Sequence, residues 1–197
     1  MCLPPLMPDH FLPLPRWAVS AVIGCFLVAM VVSDPGRIDR RSIDAHKIRI
    51  GLVIVLVGSA AWSTAALTSD LIFSRKGVTD TASGLLQAGG LVWLSLMISF
   101  SFLYWELDRG GPGARTHDQW SHPDLAFPQD LSPEVSPEGW RPTYVDYAYV
   151  GVTNGVAFSP TDAMPLAHWA KLAMAIQSVT SLMIIGLVVA RAVNVLQ

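Results

Sequence analysis

Apolar and polar positions alternate along this chain on the scale of whole helices rather than single turns. Trp17 to Val32 carries no charge, Ile50 to Leu67 is a second apolar run, and Ala82 to about Tyr104 is a third. A fourth follows Pro165, with Val179 to Ala190 interrupted only by Thr180, Ser181 and Gly186. Crossing a bilayer takes about 20 such residues, so each run predicts a membrane span. The first is short by itself, and Phe11–Pro15 extends it. Its rival reading is a cleaved signal peptide. Only Arg16 supplies a basic flank and no convincing small-x-small site precedes Asp34, so a retained helix is expected. Pro4, Pro5, Pro8, Pro13 and Pro15 exclude a continuous helix before it.

The segments between the runs differ in character. Asp34-Pro-Gly is a turn that opens a basic loop with Arg37, Arg40, Arg41, Lys47 and Arg49. Asp70 closes the second run near Arg75 and Lys76, which places it at the interface. Thr79 or Asp80 is a helix cap for the third run. Gly84, Gly89 and Gly90 allow a close helix contact there, and Tyr104 with Trp105 suit an interfacial aromatic belt. Glu106 to Pro142 holds six prolines and nearly half of the acidic residues, and shows neither helical nor strand periodicity. Trp120, Phe127 and Trp140 are its candidate anchors. His117, Asp118, His122 and Asp124 fall in it without a recognised metal-ligand spacing.

Composition agrees with a membrane chain. Of 197 residues 52% are hydrophobic and 14% charged, against about 25% charged in soluble domains. The formal net charge is −2 and no basic face is present, which excludes a nucleic-acid partner. Cys2 and Cys25 cannot form a disulfide framework. No nucleophile motif, HExxH, P-loop or GxGxxG appears, so neither an enzyme nor a cofactor or metal site is expected.

Tyr147 to Asp162 is nearly uncharged, too polar to span and too apolar for an ordinary exposed loop. A short helix at about Tyr144 to Val156, capped by Thr143 or Asp146 and broken by Ser159-Pro160, predicts a re-entrant element. The expected fold is an all-α membrane protein of four transmembrane helices, with a re-entrant pore helix and loop between the last two. Residues 1–78 hold two spans and their basic loop. The outer helix covers 82–104, the polar segment 105–142, the pore helix and loop 143–165, and the inner helix 166–197.

The last part, from about Ala82 to Gln197, resembles the pore domain of tetrameric potassium channels. Tyr149-Val-Gly-Val-Thr153 stands at the pore-helix end, Ala157 to Asp162 in the filter, and Pro165-Leu166 with Trp169-Ala-Lys-Leu172 after it. Thr153, Asp162 and Pro165 match in place, as does Val189-Ala190-Arg191. The resemblance implies a homotetramer in the cell membrane, multi-pass, with the lipid bilayer and permeating monovalent cations as its other partners.

The filter departs from the family's Val-Gly-Tyr-Gly, having Phe158-Ser159-Pro160-Thr161. Alternate glycines let successive carbonyls face an axis, and Pro160 fixes φ near −65°, so four stacked carbonyl rings do not form. Hydroxyl rings from Ser159 and Thr161, backed by Thr153 and Asn154, with Asp162 at a mouth, would make a weakly selective cation pore. The same residues equally serve as turn caps. Gln177, Thr180, Ser181 and Ile184 share one face of the inner helix, where they either line a cavity or bond between helices, and Gly186 is a candidate hinge. A non-conducting structural or regulatory subunit is the alternative function. Orientation stays open: the basic first loop places the polar segment in the cytoplasm, whereas the channel resemblance places it outside.

Overall fold

A computed structural model describes residues 43–73, 81–116, 122–132, 134, 136–157 and 163–195. The expected first span, Trp17 to Val32, and the filter residues 158–162 lie outside them. Three long helices dominate: α1 is Ile43–Ile72, α2 is Ala82–Leu107 and the C-terminal α6 is His168–Val195. All three are long and apolar enough to cross a membrane. A 3-10 turn (Asp108–Gly110), α3 (Pro112–Thr116), strand β1 (Leu125–Ala126) and α4 (Pro128–Leu131) follow α2. Then come α5 (Tyr144–Ala157) and strand β2 (Met164–Pro165), which leads into α6.

Helix α2 is the centre of the bundle, packing against α1, α5 and α6. Its buried positions Leu85, Ala88, Val92, Leu96, Phe100 and Tyr104 recur at three- and four-residue steps, the spacing that places side chains on one face. On α6 the matching inner face is Ala170, Met174, Gln177, Ser181, Ile184 and Val188. Outward positions such as Leu172, Ile176, Val179 and Met183 are apolar and exposed. A helix apolar on its outside as well as its inside is what a lipid solvent calls for.

Local chemistry explains the helix ends. Thr81, not Thr79 or Asp80, caps α2, its hydroxyl accepting from the Gly84 N–H at 3.2 Å. At α5 the Asp146 carboxylate reaches back to the Thr143 N–H at 2.7 Å, the carboxylate half of a capping box. The described parts of the polar segment carry structure where sequence periodicity is silent. Strand β1 pairs antiparallel with β2, Leu125 opposite Pro165 and Ala126 opposite Met164. The Leu166 and Ala167 N–H groups both donate to the Asp124 carbonyl. The start of α6 is therefore stapled to the segment that follows α2. Two residues per strand leave too little pattern for a period-two signal.

Close approach of α5 to α2 rests on two glycines. A Cβ at Gly151 would collide with Ser101 Oγ and lie 3.2 Å from the Met97 carbonyl. One at Gly155 would run into the Met97 side chain. Of the α2 glycines, only Gly89 among Gly89 and Gly90 meets a neighbouring helix, a Cβ there standing 2.7 Å from Val188 Cγ2. Gly151→Leu should destabilise the fold by about 1–3 kcal/mol or more through overpacking. Gly58→Ala, with nothing within 4 Å of its Cβ position, should be neutral or gain up to about 1 kcal/mol. Thermal unfolding in detergent reads both.

Candidate functional site

Helix α5 has 14 residues, about 21 Å of helix against a hydrocarbon core of about 30 Å, so it cannot cross a bilayer. The last four carbonyls of any helix lack partners inside it. At α5 two of these are met by hydroxyls from α6. Ser181 Oγ donates to the Gly155 carbonyl at 2.6 Å, and Ser178 Oγ lies 3.1 Å from the Asn154 carbonyl. One turn earlier, Gln177 Nε2 donates to the Gly151 carbonyl at 2.7 Å. Positions 177, 178 and 181 fall on the α6 surface facing α5, so one short stretch of α6 serves three α5 carbonyls.

Asn154 returns the interaction. Its Nδ2 donates to the Met174 carbonyl at 3.0 Å and to Gln177 Oε1 at 2.8 Å. From α2, the Tyr104 hydroxyl donates to the same Gln177 oxygen at 2.7 Å, and Trp93 Nε1 donates to Ser181 Oγ at 2.8 Å. Asn154, Gln177, Ser181 and Tyr104 are all buried. A buried amide left without partners costs several kcal/mol in an apolar medium. Here every polar group of the knot has a partner, and α2, α5 and α6 are tied at one point.

A second cluster fixes the other end of α5. Asp108 stands at the end of α2, and its Oδ1 accepts the N–H groups of Asp124 and Leu125, each at 3.0 Å. Its Oδ2 accepts the Tyr147 hydroxyl at 2.5 Å, joining α5 to the segment after α2. Arg115 donates to the Trp105 and Asp108 carbonyls at 2.9 and 2.7 Å, and its guanidinium lies 5.1 Å from the Tyr147 ring centre. A cation at a helix C-terminus opposes the partial negative charge of the helix dipole. Arg109 takes a left-handed backbone (φ 54°) and pairs with Asp108 and Asp130. Arg49 of α1 meets Glu106 at 3.0 Å. Phe127 packs edge-on against both Trp140 and Tyr147, so two of the three expected anchors hold the segment down; Trp120 lies outside the described residues.

The residues singled out by sequence are placed as follows. Thr153 bonds back to the Tyr149 carbonyl within its own helix at 2.8 Å. Asn154 is buried in the knot, and Phe158, Ser159, Pro160, Thr161 and Asp162 lie outside the described residues. Gln177, Ser181 and Ile184 face the interior of the bundle, while Thr180 is half-buried. Gly186 is exposed within a helix that continues to Val195. Tyr104 is a correction: it is fully buried and bonded to Gln177 instead of standing in an aromatic belt. Among the described residues no cluster of His, Cys, Asp or Glu could hold a metal ion. Asp124 accepts the Arg109 N–H at 3.0 Å.

Sequence reading missed Tyr104, Trp93, Asp108 and Tyr147 as partners. Only the run of uncharged polar residues at 177–181 marked the place where partners had to converge.

Burial, and then the adjacent Asp108 carboxylate, hold the Tyr147 phenol above its ordinary value of about 10. The folded state keeps a proton that the unfolded chain releases above about pH 10. This contribution to stability is therefore intact below that pH and is lost as the pH climbs past it. Tyr147→Phe should cost about 1–3 kcal/mol at pH 7. Its stability should also fall less steeply than the wild type's above about pH 10, as read by thermal unfolding across pH. No known protein family, characterised protein or solved structure matches this chain.

Proposed function

We propose that this chain is a channel-like, multi-pass protein of the cell membrane, passing cations through an oligomeric pore. The observation that carries the reading is the seat of α5. A helix too short to span ends with its C-terminal carbonyls satisfied by Ser178 and Ser181 of a long apolar helix. Backbone that stops at membrane depth is tolerated only where protein or a wet cavity receives it. Such a seat supports a re-entrant α5. Its C-terminal end carries about half a negative charge, which favours a cation beyond it.

In this proposal the aperture forms at the end of α5 and along residues 158–162. Asp162 concentrates cations at the mouth, and Ser159 with Thr161 offers hydroxyl oxygens in place of a carbonyl stack. Gln177, Ser181 and Ile184 serve inside the protomer as supports for α5. Four copies around one axis, as in the family that residues 149–172 resemble, supply the remaining walls.

One observation favours a second reading, a non-conducting structural or regulatory subunit. The polar face of α6 that would line a cavity is spent on α5 and α2, with Gln177 and Ser181 at 0% exposure. Reconstitution separates the two. Conduction predicts a tetramer in detergent and cation flux in liposomes, reduced by Asp162→Asn and altered by Thr161→Ala. A tight preparation silent to voltage, pH and ion gradients would leave the subunit reading.

A further inference from the structure

Beside the knot, on the outer side of the α5–α6 contact, lies a groove of about 430 Å³. Met174, Ala175, Val179 and Leu182 of α6 form its walls, and Asn154 and Ser178 lie in its floor. Its volume falls in the range of about 300–1,000 Å³ typical of small-molecule sites. The floor offers little to a polar solute. Asn154 Nδ2 already donates to the Met174 carbonyl and to Gln177, and Ser178 Oγ lies 3.1 Å from both Asn154 oxygens. What the groove presents is a hydrocarbon surface.

Its dimensions and charge identify an occupant. Lys171 stands at the rim in the first turns of α6, exposed, with no carboxylate of the described residues paired to it. From Lys171 to Leu182 the helix rises about 16 Å, close to one leaflet's half of a core about 30 Å thick. Cation at the interface and apolar trough below it match a phospholipid with its phosphate at Lys171 and one acyl chain along α6. Among the described residues, Arg49, Arg109 and Arg115 lie at the same end of the bundle as Lys171. Arg191 lies towards the other end. By the positive-inside rule, taken over the channel resemblance, this end would face the cytoplasm, whose leaflet carries the anionic lipids.

We infer that this groove is a binding site for an anionic phospholipid of the surrounding bilayer. The site requires that α6 span the membrane and is independent of whether the protein conducts. The test uses the full chain in nanodiscs of equal phosphatidylglycerol and phosphatidylcholine, with retained lipid counted by native mass spectrometry. Wild type should retain phosphatidylglycerol about fivefold over phosphatidylcholine, the size of one lysine's attraction to an anionic surface. Lys171→Gln, a change at an exposed position, should bring the ratio to parity while lipid is still retained. Ala175→Trp, which fills the trough from another exposed position, should lose lipid of both kinds with the unfolding transition unchanged. Equal retention of the two lipids by wild type would overturn the inference, as would a preference that survives Lys171→Gln. So would an Ala175→Trp variant that separates an oligomer and leaves bound lipid unaltered, since the groove would then hold a second copy of the chain.

Discussion

The structure depends on a helix whose C-terminal carbonyls are met inside the bundle. Backbone carbonyls at a helix C-terminus must find donors, and in an apolar setting each one left bare costs several kcal/mol. Here α6 brings Gln177, Ser178 and Ser181 to three carbonyls of α5, and Asn154 ties the contact back to α6. Everything else follows from holding those groups in register. Gly151 and Gly155 let α5 come close to α2, and Trp93 and Tyr104 add donors from the third side.

The far end of α5 is held by a different chemistry. Around Asp108 the donors are backbone amides, a phenol and the Arg115 guanidinium, and Arg109 is ion-paired with the carboxylate. Charge is tolerable at this end because the buried ions are paired. Inside the bundle the same task is done by neutral amides and hydroxyls, which are less costly to bury than ions. The two clusters define a rigid placement for α5, one at Tyr147 and the other at Asn154 to Gly155. Its exposed side carries Val145, Tyr149, Val152 and Val156.

Within this frame the polar residues of α6 have more than one use. Gln177 and Ser181 turn inwards as supports, while Ser178 sits between the knot and the outer groove. A helix with a 3.6-residue repeat shows different faces to its own protomer and to its surroundings, so adjacent positions take up separate duties. Lys171 belongs to the outer face and the inner ladder begins one residue earlier, at Ala170.

The apolar runs alone established that α1, α2 and α6 are membrane-length helices, because hydrocarbon admits little else over twenty residues. The short helix expected at about 144–156 was also legible, from its nearly uncharged length and the break at Ser159-Pro160, and runs from Tyr144 to Ala157. Local pattern could not show how the described parts of the segment between Glu106 and Pro142 are held. They are held by long-range bonds, Asp108 to Leu125 and Tyr147, and Asp124 to Leu166, which have no period along the chain. Nor could periodicity tell whether Gln177 and Ser181 face an axis or a neighbour. A polar stripe has the same spacing in either case, and only the packing of α5 into the angle between α2 and α6 decided which way it turns.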